Sequence, residues 1–286
     1  LHKLILDWFI DRPNKNAEQE ENVIESLVPH SNLRDLCIRG HGGANCPSWL
    51  GRYLSVENLE SLSLCDVSWS TLPPLGKLGF VAGEEWQSHV SSQSFHILKR
   101  LEIVNIPKLQ KWAGNEPCHL FSVLEVVIFI DCPELVELPF SHPTSHRAKH
   151  DENMSWFPKL RELKIICCPK LASLPPIPWT QALCSAEIRQ AGSVFEQLVY
   201  PNNYGAELSL EVEGKDGQHG VLWNGLAFHN LAGLKGLWVK NCPPLPLIHL
   251  QKLKSLKFLV ITGTSNSLLL FEGEGYNTEC PLPVEH

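Results

Sequence analysis

The sequence lacks the features of a membrane, secreted or nucleic-acid-binding chain. No apolar run reaches the roughly 18 residues needed to cross a bilayer. The opening stretch, LHKLILDWF, has neither the charged n-region nor the long apolar core of a secretory leader. It begins on Leu rather than Met, as a piece of a longer chain would. Lys and Arg never cluster and the net charge is −7, so a phosphate backbone finds no basic track and nucleic acid is not an expected partner. None of the ten cysteines forms a C-x-x-C pair. Several lie inside or just after apolar runs, so they read as mostly reduced, buried thiols of a cytosolic protein. The one glycosylation sequon, at Asn153, is what chance supplies at this length. No G-x-S-x-G or H-E-x-x-H occurs, so no enzyme, catalytic residue or cofactor is expected. His142, His146 and His150 share a polar loop, but no Cys or acidic ligand stands at fixed helical spacing to them, and they read as solvated rather than metal-binding.

What is present is one spacing, repeated. The chain has 286 residues, 43% of them hydrophobic, enough for a sizeable core or a repeat array. Leu124, Val127, Phe129 and Cys132 fall at relative positions one, four, six and nine. Leu160, Leu163, Ile165 and Cys168 do the same, as do Leu234, Leu237, Val239 and Cys242. Pro-x-Leu follows Cys132 and Cys168, and Pro-Pro-Leu follows Cys242. Leu98, Leu101, Ile103 and Ile106 repeat the pattern with Ile for Cys. Shorter copies start at Leu1, Leu33, Leu59 and Leu256. L-x-x-L-x-L-x-x-C is the leucine-rich repeat pattern.

The expected fold is therefore α/β: a leucine-rich repeat solenoid, or horseshoe. Its concave wall is a parallel sheet and its convex side is irregular, 3₁₀ or short helix. Positions four and six enter the core; positions three, five and seven face out. Cys at position nine, Pro at ten and the following Leu are expected to stop each strand, turn the chain and return it to the core. One helix is expected in Ala17–His30, where Val23, Ile24 and Leu27 have helical spacing behind an acidic first turn. STLPPLGKL and ASLPPIPW are too rich in Pro for helix. Residues 1–286 read as a single irregular domain, the C-terminal part of a larger receptor. Insertions are expected near 79–94, 141–155 and 180–220, the last holding weak strands at most, around Ala186–Ile188 and Leu208–Val212.

Several segments resemble the leucine-rich region of plant intracellular nucleotide-binding (NB-ARC) resistance proteins of the coiled-coil class. They are NVIESLVPHSNLRDLCIRGHGGANCPSWL (residues 22–50), NLESLSLCD with LPPLGKL (58–66 and 72–78), and FPKLRELKIICCPKLASLP (157–175). The resemblance implies a cytoplasmic or nuclear protein of innate immunity whose repeats recognise a pathogen effector or a modified host protein. It also implies that they restrain an adjoining nucleotide-binding domain. No G-x-x-x-x-G-K-[ST] loop is present, since PLGKLG has one Gly before Lys and Leu after it. This chain alone is not expected to bind ATP. The alternatives are the substrate-recognition array of a ubiquitin-ligase adaptor, or a degenerate receptor copy.

The outward positions carry the candidate protein-binding residues. In the middle turns these are Arg100, Glu102 and Val104, then Val126, Ile128 and Ile130, then Glu162, Lys164 and Ile166. Val104, Ile128, Ile130 and Ile166 are expected either to form an exposed apolar patch, the kind that marks an interaction surface, or to be buried by an inserted loop such as 141–155 folding over them. Arg39 faces out on an earlier turn. Trp238 with Lys240 is a second candidate, because an exposed Trp on a rigid strand suits a hot spot. Cys132, Cys168 and Cys242 lie on different turns with no paired ligands, so they read as scaffold rather than metal site. Cys167 is the thiol expected to be partly exposed.

Overall fold

The computed structural model describes residues 1–9, 16–51, 56, 58–72, 97–112, 123–138, 157–171, 174, 176–192, 195–201, 207–215 and 222–263. The segments expected at 79–94 and 141–155 lie outside these residues.

Repeating the leucine spacing places one strand in each turn. Strands β1 (Lys3–Asp7), β2 (Asp35–Arg39), β3 (Ser61–Cys65), β5 (Arg100–Val104), β7 (Val126–Ile130), β8 (Glu162–Cys168) and β9 (Ser185–Ala191) stack in that order, each parallel to the last. The sheet then continues through β10 (Phe195–Tyr200), β11 (Ser209–Gly214), β12 (Gly236–Lys240) and β13 (Phe258–Thr262) to make eleven strands. Two short strands, β4 (Thr71–Leu72) and β6 (Lys111–Trp112), pair away from this sheet. Ser61 pairs directly with Arg100, 39 residues on, so β3 and β5 are neighbours in the ladder. The leucine-rich repeat solenoid is thus the observed fold.

Positions one, four, six and nine form the core. Leu98, Leu101, Ile103 and Ile106, and likewise Leu124, Val127, Phe129 and Cys132, are all 0% exposed. Each such side chain contributes about 1.5–3 kcal/mol on burial. At the leading edge, the N–H groups of positions two and three both donate to the position-two carbonyl of the preceding turn; Lys99 and Arg100 share Glu60 in this way. Position-two side chains alternate in sign through Arg34, Glu60, Lys99, Glu125 and Arg161. Glu60 bridges Lys99 at 2.7 Å and Arg34 at 3.3 Å, a small contribution to stability that favours this register.

At the exit edge the turn starts earlier than Pro. Position eight has positive φ in turn after turn: Gly40, Asp66, Asn105, Asp131, Cys167, Gln190, Asn241 and Gly263. Gly reaches this region freely, and Asn and Asp tolerate it better than other residues. The position-eight N–H still joins the ladder, as Asp131 does to the Ile166 carbonyl at 3.0 Å. Position nine then accepts a bond from the N–H three residues on: Leu109 to Ile106, Leu135 to Cys132 and Leu171 to Cys168, each 3.2 Å. Cys-Pro-x-Leu is therefore a β-turn with Pro at its second place, where a fixed φ favours it. The thiols of Cys132, Cys168 and Cys242 donate back to Ile130, Ile166 and Lys240 carbonyls at 3.5, 3.4 and 3.2 Å. Cys132→Ser should cost about 1–2 kcal/mol by placing a hydroxyl in an apolar slot. Thermal melts should show that loss in the variant, while adding EDTA should leave the wild-type melt unmoved; a chelator-induced drop would contradict the scaffold role.

Three findings correct the sequence reading. Residues 185–214 hold three full strands rather than weak ones. Leu183, Ala186, Ile188 and Ala191 occupy positions one, four, six and nine of a complete repeat, hidden because Ala replaces Leu and Cys. The sheet is also not wholly parallel, because β10 runs antiparallel to both β9 and β11. Finally, only Cys132, Cys168 and Cys242 are buried among the described cysteines; Cys37, Cys46, Cys65 and Cys167 are half-buried and Cys184 is exposed.

On the convex side, α1 (Ala17–Ser26) forms where expected, capped by the Asn16 side chain on the Gln19 N–H at 3.1 Å. Its glutamates hold the loop that follows β2. Glu20 accepts from Gly42 N–H at 2.6 Å, Glu21 from Ala44 N–H at 2.6 Å, and Glu25 from Ser48 N–H at 2.8 Å. Trp49, in the short helix α2 (Ser48–Gly51), donates to the Ile24 carbonyl at 2.8 Å. Elsewhere the convex side is 3₁₀ at Leu222–Gly225 and Phe228–Leu231, with a single turn α3 (Leu247–Leu250).

Candidate protein-binding face

Strand pairing assembles nine of the sequence-predicted residues into one grid. Arg100, Val126 and Glu162 lie side by side at position three; Glu102, Ile128 and Lys164 at five; Val104, Ile130 and Ile166 at seven. Arg39 lies on β2, with β3 between it and the grid. Trp238 and Lys240 lie on β12, beyond β9, β10 and β11. The twelve residues are therefore one contiguous site of nine and three outlying residues in two places.

Exposure within the grid departs from the expectation at one point. Ile128 is only 6% exposed although it faces away from the core. It sits level with Glu102 and Lys164 on the flanking strands, so the centre of the grid is covered. Val104, Val126, Ile130 and Ile166 are half-buried. The apolar surface is consequently the position-seven row Val104, Ile130 and Ile166, toward the exit edge.

Several charges around this row are paired with one another. Arg100 meets Glu102 at 3.3 Å, and Lys164 reaches Glu187 at 3.1 Å, which also takes Arg189 at 2.8 Å. Further along, Lys240 meets Glu213 at 2.9 Å, and that hydrogen-bonded carboxylate holds the Lys240 ammonium above its usual pKa. Glu187, Arg189 and Glu213 are absent from the sequence-predicted residues because their strands were read only as weak ones; the signal for Glu187 and Arg189 was the Ala-for-Leu repeat at 183–191.

Trp238 is half-buried because its indole lies along its own strand. A Cβ added at Gly236 would come within 2.4 Å of the Trp238 ring, so glycine at position three makes the space it occupies. Phe258 and Val260, 55% and 40% exposed, flank Gly236 and Trp238 on β13 and extend this apolar area.

Chemically the face is poor in reactive groups. Burial pushes the Cys65 thiol up, and burial followed by the neighbouring Asp131 does the same for Cys167, so both are held as thiols. Among the described residues no three His, Cys, Asp or Glu side chains are grouped to hold a metal. Among the same residues no helix is long and apolar enough to cross a membrane. A sheet bearing a half-buried aliphatic row with ion pairs beside it is suited to contact with another protein.

The family described as R13L1/DRL21 LRRs matches residues 1–82. RGA1 of Solanum bulbocastanum, named for disease resistance, is 32% identical over 148 residues, covering 48% of this chain and 15% of that protein. Disease resistance protein RGA2 of the same organism is 28% identical over 203 residues, covering 61% of this chain and 21% of that protein. RGA4, again named for disease resistance in that species, is 30% identical over 157 residues, covering 48% and 15%. The chain thus spans about a fifth or less of the length of these curated relatives. No solved structure matches it.

Proposed function

We propose, starting from a chain that is the leucine-rich repeat region of a plant disease resistance protein, that the grid on β5, β7 and β8 is its recognition surface. The partner is a pathogen effector or an altered host protein. The same grid restrains a nucleotide-binding domain when the two are joined, and that contact is the one the test reads. The observation that carries this reading is the row Val104, Ile130 and Ile166: β-branched apolar side chains, half-buried at equivalent positions of three neighbouring strands. Solvent-facing positions of a half-exposed sheet ordinarily hold polar residues, and an apolar row there gains free energy when a partner removes it from water.

The test uses a nucleotide-binding domain of a plant disease resistance protein supplied in trans. Co-immunoprecipitation should recover it with the wild-type chain and with Val136→Lys, a convex-side control. The double variant Ile130→Lys, Ile166→Lys should lose at least ~tenfold of the recovered domain, about 1.4 kcal/mol of binding. Circular dichroism of all three chains should superimpose. Equal recovery by the double variant would sink the proposal. Ile128 is unsuitable for this purpose, since it is already covered at 6% exposure and offers a partner little surface.

A further inference from the structure

We propose that a groove along the exit edge of β5, β7, β8 and β9 binds an arginine side chain presented by an extended peptide. The groove encloses about 570 Å³, within the span of ligand-sized clefts of ~300–1,000 Å³. One wall is Pro107, Pro133 and Pro169, the position-ten residues of three successive turns. The rim is Asn105, Asp131, Cys167 and Gln190, the position-eight residues of four turns. Their φ values of 50, 54, 54 and 48° turn the chain off the sheet at the same point of each repeat. The same prolines and left-handed residues that end each strand thereby build a channel one strand spacing, about 4.8 Å, per step.

The lining decides what fits. It contains one carboxylate, Asp131, and no Lys, Arg or His. Two donors of the rim are already engaged: the Asn105 amide donates to Asp66 on the preceding turn, outside the lining, and the Cys167 thiol donates to Gln190 Oε1 at 3.3 Å. Proline contributes ring carbon and no N–H. A ligand therefore meets one negative charge and apolar faces, with the Gln190 amide beside them. A guanidinium is flat, carries only donors, is weakly hydrated and packs its faces against carbon. A lysine ammonium is a strongly hydrated point charge without such a face. The chain's net charge of −7 also favours a basic partner. The groove adjoins the row Val104, Ile130 and Ile166 but does not rest on the proposal made for that row, and its test leaves that proposal untouched.

Cys167 reports occupancy from inside the groove. Cys184 is exposed at position two of its turn, on the opposite edge of the sheet, and serves as the internal reference. Alkylation of both by iodoacetamide is followed by mass spectrometry with capped penta-arginine, penta-lysine or penta-alanine present. Penta-arginine should slow Cys167 at least ~threefold, as two-thirds occupancy would, and leave Cys184 unchanged. Penta-lysine should protect less and penta-alanine not at all. Asp131→Asn, which suits the left-handed backbone at that position, should keep the fold by circular dichroism and abolish protection. No slowing, equal slowing at Cys184, equal protection by penta-lysine, or protection retained in Asp131→Asn would each overturn the proposal.

Discussion

Phe129→Ala should cost about 3–5 kcal/mol in urea unfolding, the usual range for emptying a fully buried aromatic site. Phe129 is 0% exposed at position six of β7, between Ile103 and Ile165 on the flanking strands. In a repeat array each turn contacts only its neighbours, so the loss should not spread evenly. Hydrogen exchange should quicken most in β5, β7 and β8 and least in β12 and β13. Phe129→Leu, which retains most of the volume, should recover more than half of the loss. A cost below about 1 kcal/mol for the alanine variant would mean that the site collapses freely or is not packed as described.

Gly192→Ala should be comparably severe for a different reason. A Cβ at this residue would lie 1.7 Å from the Leu171 carbonyl oxygen, 2.5 Å from its carbon and 2.8 Å from its nitrogen. These are backbone atoms of the preceding turn and cannot move aside as a side chain could. Gly192 N–H also donates to the Cys168 carbonyl at 3.0 Å, which ties the end of β9 to that turn. Relief requires separating the two turns, and the cost should reach about 3 kcal/mol or more, at the upper end for overpacking. Thermal unfolding by circular dichroism measures it, and proteolysis should begin within 185–200. Unchanged stability would show that β9 does not pack against β8 in this way.

The fold was legible wherever leucine marks the core. Leu33, Leu59, Leu98, Leu124, Leu160, Leu234 and Leu256 announce their turns because only a buried apolar ladder repeats at that spacing. The turn at 183–191 was not legible, because Ala186 and Ala191 fill the same places with too little side chain to stand out. The antiparallel β10 was hidden for another reason. It breaks the period, so no template spacing applies, and its pairing depends on contacts remote in sequence. The exit turn was half legible: Pro-x-Leu was visible, whereas the left-handed residue before it varies among Gly, Asp, Asn, Gln and Cys and is united only by backbone conformation.

The candidate site shows the same division. Alternation placed Val104, Ile130 and Ile166 on the outer face correctly, since a strand's side-chain direction follows from residue count alone. Alternation could not show that Ile128 is covered, because coverage depends on which neighbours flank it across the sheet. The groove at 105–190 could not be read from any one turn. It exists only when Pro107, Pro133 and Pro169 are stacked, and the 26- and 36-residue intervals that separate them conceal the stacking in sequence.

Hydroxyl-radical footprinting of the chain bound to a nucleotide-binding domain tests the recognition face most directly. Oxidation of Ile130 and Ile166 should fall at least ~threefold on binding, while Val23 and Val136, 43% and 40% exposed on the convex side, keep their free rates. Protection centred on Val23 and Val136, with Ile130 and Ile166 unchanged, would place recognition on the other side of the solenoid.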